Sequence, residues 1–100
     1  MIYITAFFFV SEGKEDLFQD YEQKVLPLMD DYNGNLIYRI RLGENNFITS
    51  SEEMPYEIHF ISFSTDQDFF SYVNDERRQK YMGQKEEAIR STFLVKGEKI

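Results

Sequence analysis

The sequence predicts an α+β domain with the element order strand, helix, strand, strand, helix, strand. Three observations carry this prediction. Segments near residues 2–10, 36–42, 56–64 and 92–96 are rich in β-branched and aromatic residues, and the first three alternate with period two. Between the first and second segments, and again between the third and fourth, apolar residues recur at helical spacing. Turn and capping signals separate the segments, above all Thr65-Asp66-Gln67-Asp68, a Ser/Thr-x-x-Asp/Glu helix start.

Alternation in the first strand puts Ile2, Ile4, Ala6, Phe8 and Val10 on one face and Tyr3, Thr5, Phe7 and Phe9 on the other. The first set is purely apolar and suits a helix-covered core. The second mixes rings with hydroxyls, as a cavity wall or subunit contact would. A helix over Lys14–Tyr32 follows from the stripe Leu17, Phe18, Tyr21, Val25, Leu28 and Tyr32, with Gln19 and Glu22 among the residues read as off it. Pro27 removes a backbone donor and predicts a kink near its last turns. Asn33-Gly34-Asn35 supplies the stop.

The second strand, Leu36–Leu42, reads with Leu36, Tyr38, Ile40 and Leu42 towards the core and Ile37, Arg39 and Arg41 on the opposite face. Gly43–Pro55 is long for a hairpin turn and reads as a flap or hairpin extension. Tyr56–Ser64 is the central strand and holds the only histidine. Phe63 must face the helices, because the chain turns into one immediately afterwards. By period two, Ile61, His59 and Glu57 share its side, and Ile58, Phe60 and Ser62 take the other. Phe69, Tyr72 and Val73 mark a short helix. Asp75 caps a second helical segment from Glu76 to about Ile89, with Glu76 and Lys80 spaced as an i,i+4 pair. Thr92–Lys96 is the last strand.

Two such halves build a ferredoxin-like fold, a four-stranded antiparallel sheet with its helices on one face and the first and third strands central. One hundred residues make a single domain, 1–100, large enough for its own core. The bare face would expose Tyr3, Phe7, Phe9 and Ile37, so a second copy of the chain is expected to cover it. Ten Phe and seven Tyr exceed what one face of a small sheet needs, which points the same way or to a ring-lined pocket.

The absence of cysteine excludes disulfides, thiolate metal sites and cysteine nucleophiles. No His/Asp/Glu cluster has metal-ligand spacing, and no glycine-rich phosphate loop or Gly-x-Ser-x-Gly elbow occurs, so neither metal nor cofactor is expected. A net charge of −7 opposes nucleic-acid binding. No run approaches the ~20 apolar residues of a membrane span. The apolar start lacks the flanks of a signal peptide, which makes a cytoplasmic protein the expectation.

Tyr3 with Val10-Ser11-Glu12, then Tyr21, Pro27, Tyr32, Gly34 and Arg39, then Phe63-Ser64-Thr65 with Tyr72, Asn74 and Tyr81, and finally Arg90 with Val95-Lys96-Gly97, carry a resemblance over nearly the whole chain. The chain resembles the dimeric α/β-barrel superfamily, and more narrowly a small family of uncharacterised bacterial domains of about this length. It departs from that family in extra residues around Glu12–Lys14 and in His59, where an aliphatic residue is usual. The resemblance implies a homodimer with facing sheets and an arginine at position 39 directed into a cavity. It implies no single chemistry, since the superfamily spans cofactor-free monooxygenases, haem-degrading enzymes and lactone isomerases.

Arg39 is therefore the leading ligand candidate, a guanidinium suited to a carboxylate, phenolate or enolate. Tyr3, Thr5, Phe7, Ile37, Phe60 and Ser62 complete an expected pocket for a small aromatic or enolisable acid on the open sheet face. His59 is a weaker acid/base candidate, because period two sends it beneath the helices. A cofactor-free monooxygenase or isomerase is one reading. A non-catalytic dimerisation or regulatory module, using the same face for assembly alone, is the other.

Overall fold

The computed structural model describes residues 1–48 and 52–100. The chain runs β1 (Ile2–Val10), α1 (Glu15–Val25), a 3-10 segment (Leu26–Tyr32), β2 (Gly34–Arg41), a 3-10 turn (Glu44–Asn46), β3 (Glu57–Phe63), α2 (Asp66–Val73), α3 (Glu76–Gln79), α4 (Met82–Ala88) and β4 (Ile89–Gly97). The sheet order is β2-β3-β1-β4 with every pair antiparallel, so β1 and β3 are central as the sequence indicates.

The first helical region changes character at its proline. Pro27 stands in the first turn of the 3-10 segment, where its missing N–H ends the α-type ladder without ending the helical path. Asn33, at φ 55°, then takes the left-handed conformation that stops the helix. Gly34 follows because there is no room for anything larger: an added Cβ would lie 2.6 Å from the Phe63 ring.

The second helical region starts at the expected caps. Thr65 Oγ1 accepts from the Asp68 N–H at 3.0 Å, and the Asp75 carboxylate accepts from the Arg77 N–H at 2.7 Å. Asp75 also accepts from the Tyr32 hydroxyl, tying α3 to the 3-10 segment. The helix anticipated from Glu76 to Ile89 is broken at Lys80–Tyr81 into α3 and α4, and Ile89 begins β4 instead of ending a helix. Lys80 lies over the Tyr81 ring at 5.8 Å rather than pairing with Glu76.

The core fills the space between helices and sheet in two clusters. One gathers Ile4, Met29, Ile61, Phe63 and Tyr72; the other gathers Phe18, Tyr21, Val25, Ala88 and Ile89. β1 presents Ile2, Ile4 and Ala6 to it, as its alternation requires.

β2 departs from its alternation. Leu36 pairs with Ile61, but Tyr38, not Ile37, is opposite Phe60, so one extra residue is accommodated at Ile37. This bulge inverts the strand's faces from that point on. Tyr38 and Ile40 emerge on the open face, 62 % and 47 % exposed, while Arg39 pairs with His59 and Arg41 with Glu57 on the helix side. The expected flap over 43–55 falls partly on residues 49–51, outside the described residues. No helix among the described residues is long and apolar enough to cross a membrane.

Candidate functional site

Beneath the helices, β3 carries two polar side chains into the core. Glu57 is 1 % exposed and His59 2 %. A buried carboxylate is costly unless every lone pair is engaged, and four donors meet this one. His59 Nε2 lies 2.5 Å from Glu57 Oε2, Arg39 Nε donates to the same oxygen at 2.8 Å, and Arg41 donates to Oε1 through Nε at 3.1 Å and a terminal nitrogen at 2.7 Å. Gln19 on α1 closes the network by accepting from both guanidiniums, at 2.9 and 2.7 Å. Burial alone would raise Glu57; the hydrogen bonds from His59, Arg39 and Arg41 outweigh it and bring the group down to about 2.

Arg39 is thus not on the open face with Tyr3 and Phe60. The bulge at Ile37 turns it under, where it neutralises Glu57. The remaining pocket candidates keep their predicted face. Register places Tyr3 opposite Ser62, Thr5 opposite Phe60 and Phe7 opposite Ile58, and Ile37 joins Tyr3, Thr5 and Phe60 around a shallow hollow. Tyr3, Phe60 and Tyr38 form a ladder of near-parallel rings across three strands, with centroids 5.7 and 6.3 Å apart.

A deeper, partly open space lies on the other side of the sheet. A cavity of about 170 Å³ separates β1, β3 and β4 from the helices. Ile4, Val25, Met29, Ile61 and Phe69 are among its apolar lining; Tyr21, Glu22, His59, Arg78 and Lys85 supply its polar groups. Exposed Thr92 and Leu94 on β4 also line it, which puts its mouth beside that strand.

Two polar groups in this lining lack partners. Glu22 is 4 % exposed, and no hydrogen bond among the described residues engages its carboxyl. Loss of solvent pushes it up, with His59, Arg39 and Arg78 opposing, which favours the protonated acid. Arg78 donates to the Tyr21 hydroxyl at 3.1 Å and lies over the Tyr72 ring at 4.5 Å, yet its Nε is buried with no acceptor. Such an orphaned donor in a cavity is costly to leave dry and suits a ligand oxygen.

The contact between Glu57 and His59 fixes which ring nitrogen holds a proton. An ionised Glu57 can only accept, so the proton of the short contact belongs to His59 Nε2, and in the neutral ring Nδ1 keeps the lone pair. Phe8 packs against the ring at 4.6 Å and fixes its plane. This is the orientation logic of a general base held by a carboxylate.

Sequence reasoning placed Glu57 and His59 on the correct side but left Glu22 on a solvated face and read Arg78 as part of a surface charge run. Glu22 sits four residues after Phe18 and three before Val25, so its place on the buried stripe was available from spacing.

The fold, with a partly open cavity between helices and sheet, is that of a small ferredoxin-like α+β domain. By sequence, the chain matches no family model and no curated protein. By structure, it is similar to a protein of unknown function from Rhodopseudomonas palustris, with a TM-score of 0.80 at 10 % identity over 99 % of this chain and 82 % of that one. A dimeric protein of unknown function with a ferredoxin-like fold from Bacteroides fragilis gives 0.70 at 12 %, over 98 % and 95 %. A candidate antibiotic biosynthesis monooxygenase from Nitrosomonas europaea gives 0.73 at 8 %, over 100 % and 99 %. At such identities the likeness shows the fold and leaves the chemistry to the site.

Proposed function

We propose that the chain binds a small carboxylic or enolisable acid in the cavity between helices and sheet, and that His59 moves a proton there. The observation that carries this reading is the buried, unpartnered Nε of Arg78 in the cavity lining. Apolar cavities of about 150 Å³ hold one benzene ring, so about 170 Å³ suits a single six-membered ring or an aliphatic acid of similar bulk. The carboxylate or enolate oxygen takes the Arg78 donor, the apolar part lies against Val25, Met29 and Ile61, and Nδ1 of His59 accepts the acidic proton. Glu22, as a neutral carboxyl, can return it. Such an arrangement serves an isomerisation, in which one proton leaves and another is delivered.

Benzoate is the direct probe. Calorimetric titration is expected to show one site per chain, and a two-ring acid such as naphthoate should bind at least about tenfold more weakly because it exceeds the cavity. Equal binding of both, or of neither, contradicts the reading.

The open face supports a separate reading, that it receives a second copy of the chain. Exposed Tyr38, Ile40, Phe93 and Val95 share it with the Tyr3–Phe60 ladder, an apolar area that a lone domain rarely leaves to water. The Bacteroides fragilis protein of the same fold is dimeric. Light scattering is expected to give twice the chain mass, and Tyr38→Glu is expected to shift it to the single-chain mass. A monomer in the unaltered protein would leave the face without this role.

A further inference from the structure

Lys85 lines the same cavity from α4 and takes no part in the proton transfer. Three lysines pair with carboxylates: Lys14 with Glu87 at 3.4 Å, Lys24 with Asp20 at 2.7 Å and Lys96 with Asp66 at 3.0 Å. Among the described residues, none forms an ion pair or side-chain hydrogen bond with the Lys85 ammonium. It is half-buried near the cavity mouth, in a lining that includes Arg78, Thr92 and Leu94. Loss of solvent and then the Arg78 charge lower its hold on the proton, while Glu22, to the extent that it is ionised, and Glu86 act in the opposite sense. A cation beside a second cation, partly withdrawn from water, gives up its proton more easily than a solvated lysine, and the free amine is the nucleophile.

We infer that Lys85 captures a carbonyl compound as an imine, the substrate being a small aldehyde or 2-oxo acid whose carboxylate sits on Arg78. This rests on the cavity being a ligand site. The amine lone pair attacks the carbonyl carbon, and the C=O π pair moves to oxygen. Transfer of a proton from nitrogen to that oxygen gives the neutral carbinolamine. The Glu22 carboxyl then protonates the hydroxyl, the C–O bond breaks, water leaves, and the nitrogen lone pair closes the C=N⁺ bond. Glu22 remains as the carboxylate beside the iminium, so charge and atoms balance. The apolar lining limits the return of water to the product.

The full chain is incubated with phenylglyoxylate and cyanoborohydride, and the reduced adduct is located by peptide mass mapping. Lys85 is expected to label faster than every other lysine, since its hold on the proton is lowered and the free amine is the reacting form. Excess benzoate should slow Lys85 alone, and Lys85→Arg should remove the fast phase while retaining the circular dichroism of the fold. Labelling spread evenly over the lysines, with benzoate still binding, overturns the imine and leaves the cavity reading standing. Even labelling without benzoate binding overturns both.

Discussion

Glu57→Gln is expected to destabilise the fold by about 3–5 kcal/mol, the cost of removing one partner from a buried charge cluster. For a domain of this size that is a fall in Tm on the order of 12–40 °C. Glutamine has nearly the shape of glutamate, so packing is kept and the loss is electrostatic. Its amide presents N–H groups to donors that all require an acceptor: Arg39, Arg41 and His59. The side chain of Arg41 is 46 % exposed and can turn to water, whereas that of His59, at 3 %, cannot. The pH dependence follows from the same group. A carboxyl held at about 2 in the fold, against an ordinary 4.5, stabilises the protein fully above the unfolded value and loses that contribution as pH falls towards 2. At about 1.4 kcal/mol per tenfold change this amounts to about 3 kcal/mol. Urea titrations of the unaltered protein are expected to show that loss between about pH 5 and pH 2, and the Glu57→Gln protein should lack it. Equal acid sensitivity in the two would place the effect elsewhere.

Arg78→Met is expected to weaken benzoate binding about 10- to 100-fold, the worth of a hydrogen bond to a charged group. Methionine keeps an apolar side chain of similar length, and removes the guanidinium over Tyr72 together with the buried Nε that has no acceptor. Stability should change little, because loss of the Tyr21 and Tyr72 contacts is offset by removal of an unsatisfied buried donor. That separation distinguishes a ligand role from a structural one. If Arg78 only braced the helices, the substitution would lower Tm and leave affinity unchanged. Calorimetry and thermal denaturation on the same preparation give both readings.

Much of this was legible from residue order. The two faces of β1, the caps at Thr65 and Asp75, and the side of His59 follow from period two and local hydrogen bonding, which neighbouring residues determine. The strand order was legible because a βαββαβ succession has few ways to cover one sheet face. The bulge was not. Leu36, Tyr38, Ile40 and Leu42 alternate cleanly, and a one-residue slip in pairing leaves no mark on that pattern. A partial signal existed in charge: once Glu57 and His59 lie on the helix side, burial demands cations opposite them. Arg39 and Arg41 carry the matching two-residue spacing. Arg78 could not be placed because its direction depends on the break at Lys80–Tyr81, whereas Lys85 keeps helical spacing with Ala88 and Ile89 and shares their side. That break lets α3 and α4 lean separately over the cavity. The run Asp75–Lys80 reads equally well as a solvated surface.

The reading of the site turns on one imidazole, and the chain has only one histidine. Long-range ¹H–¹⁵N correlation of that ring, without and with benzoate, tests it most directly. A neutral ring protonated on Nε2, with the Nδ1 resonance moving when benzoate is added, is the expected result. A ring protonated on Nδ1, or one whose nitrogens do not respond to the ligand, would contradict the assignment of His59 as the proton-accepting group of the cavity.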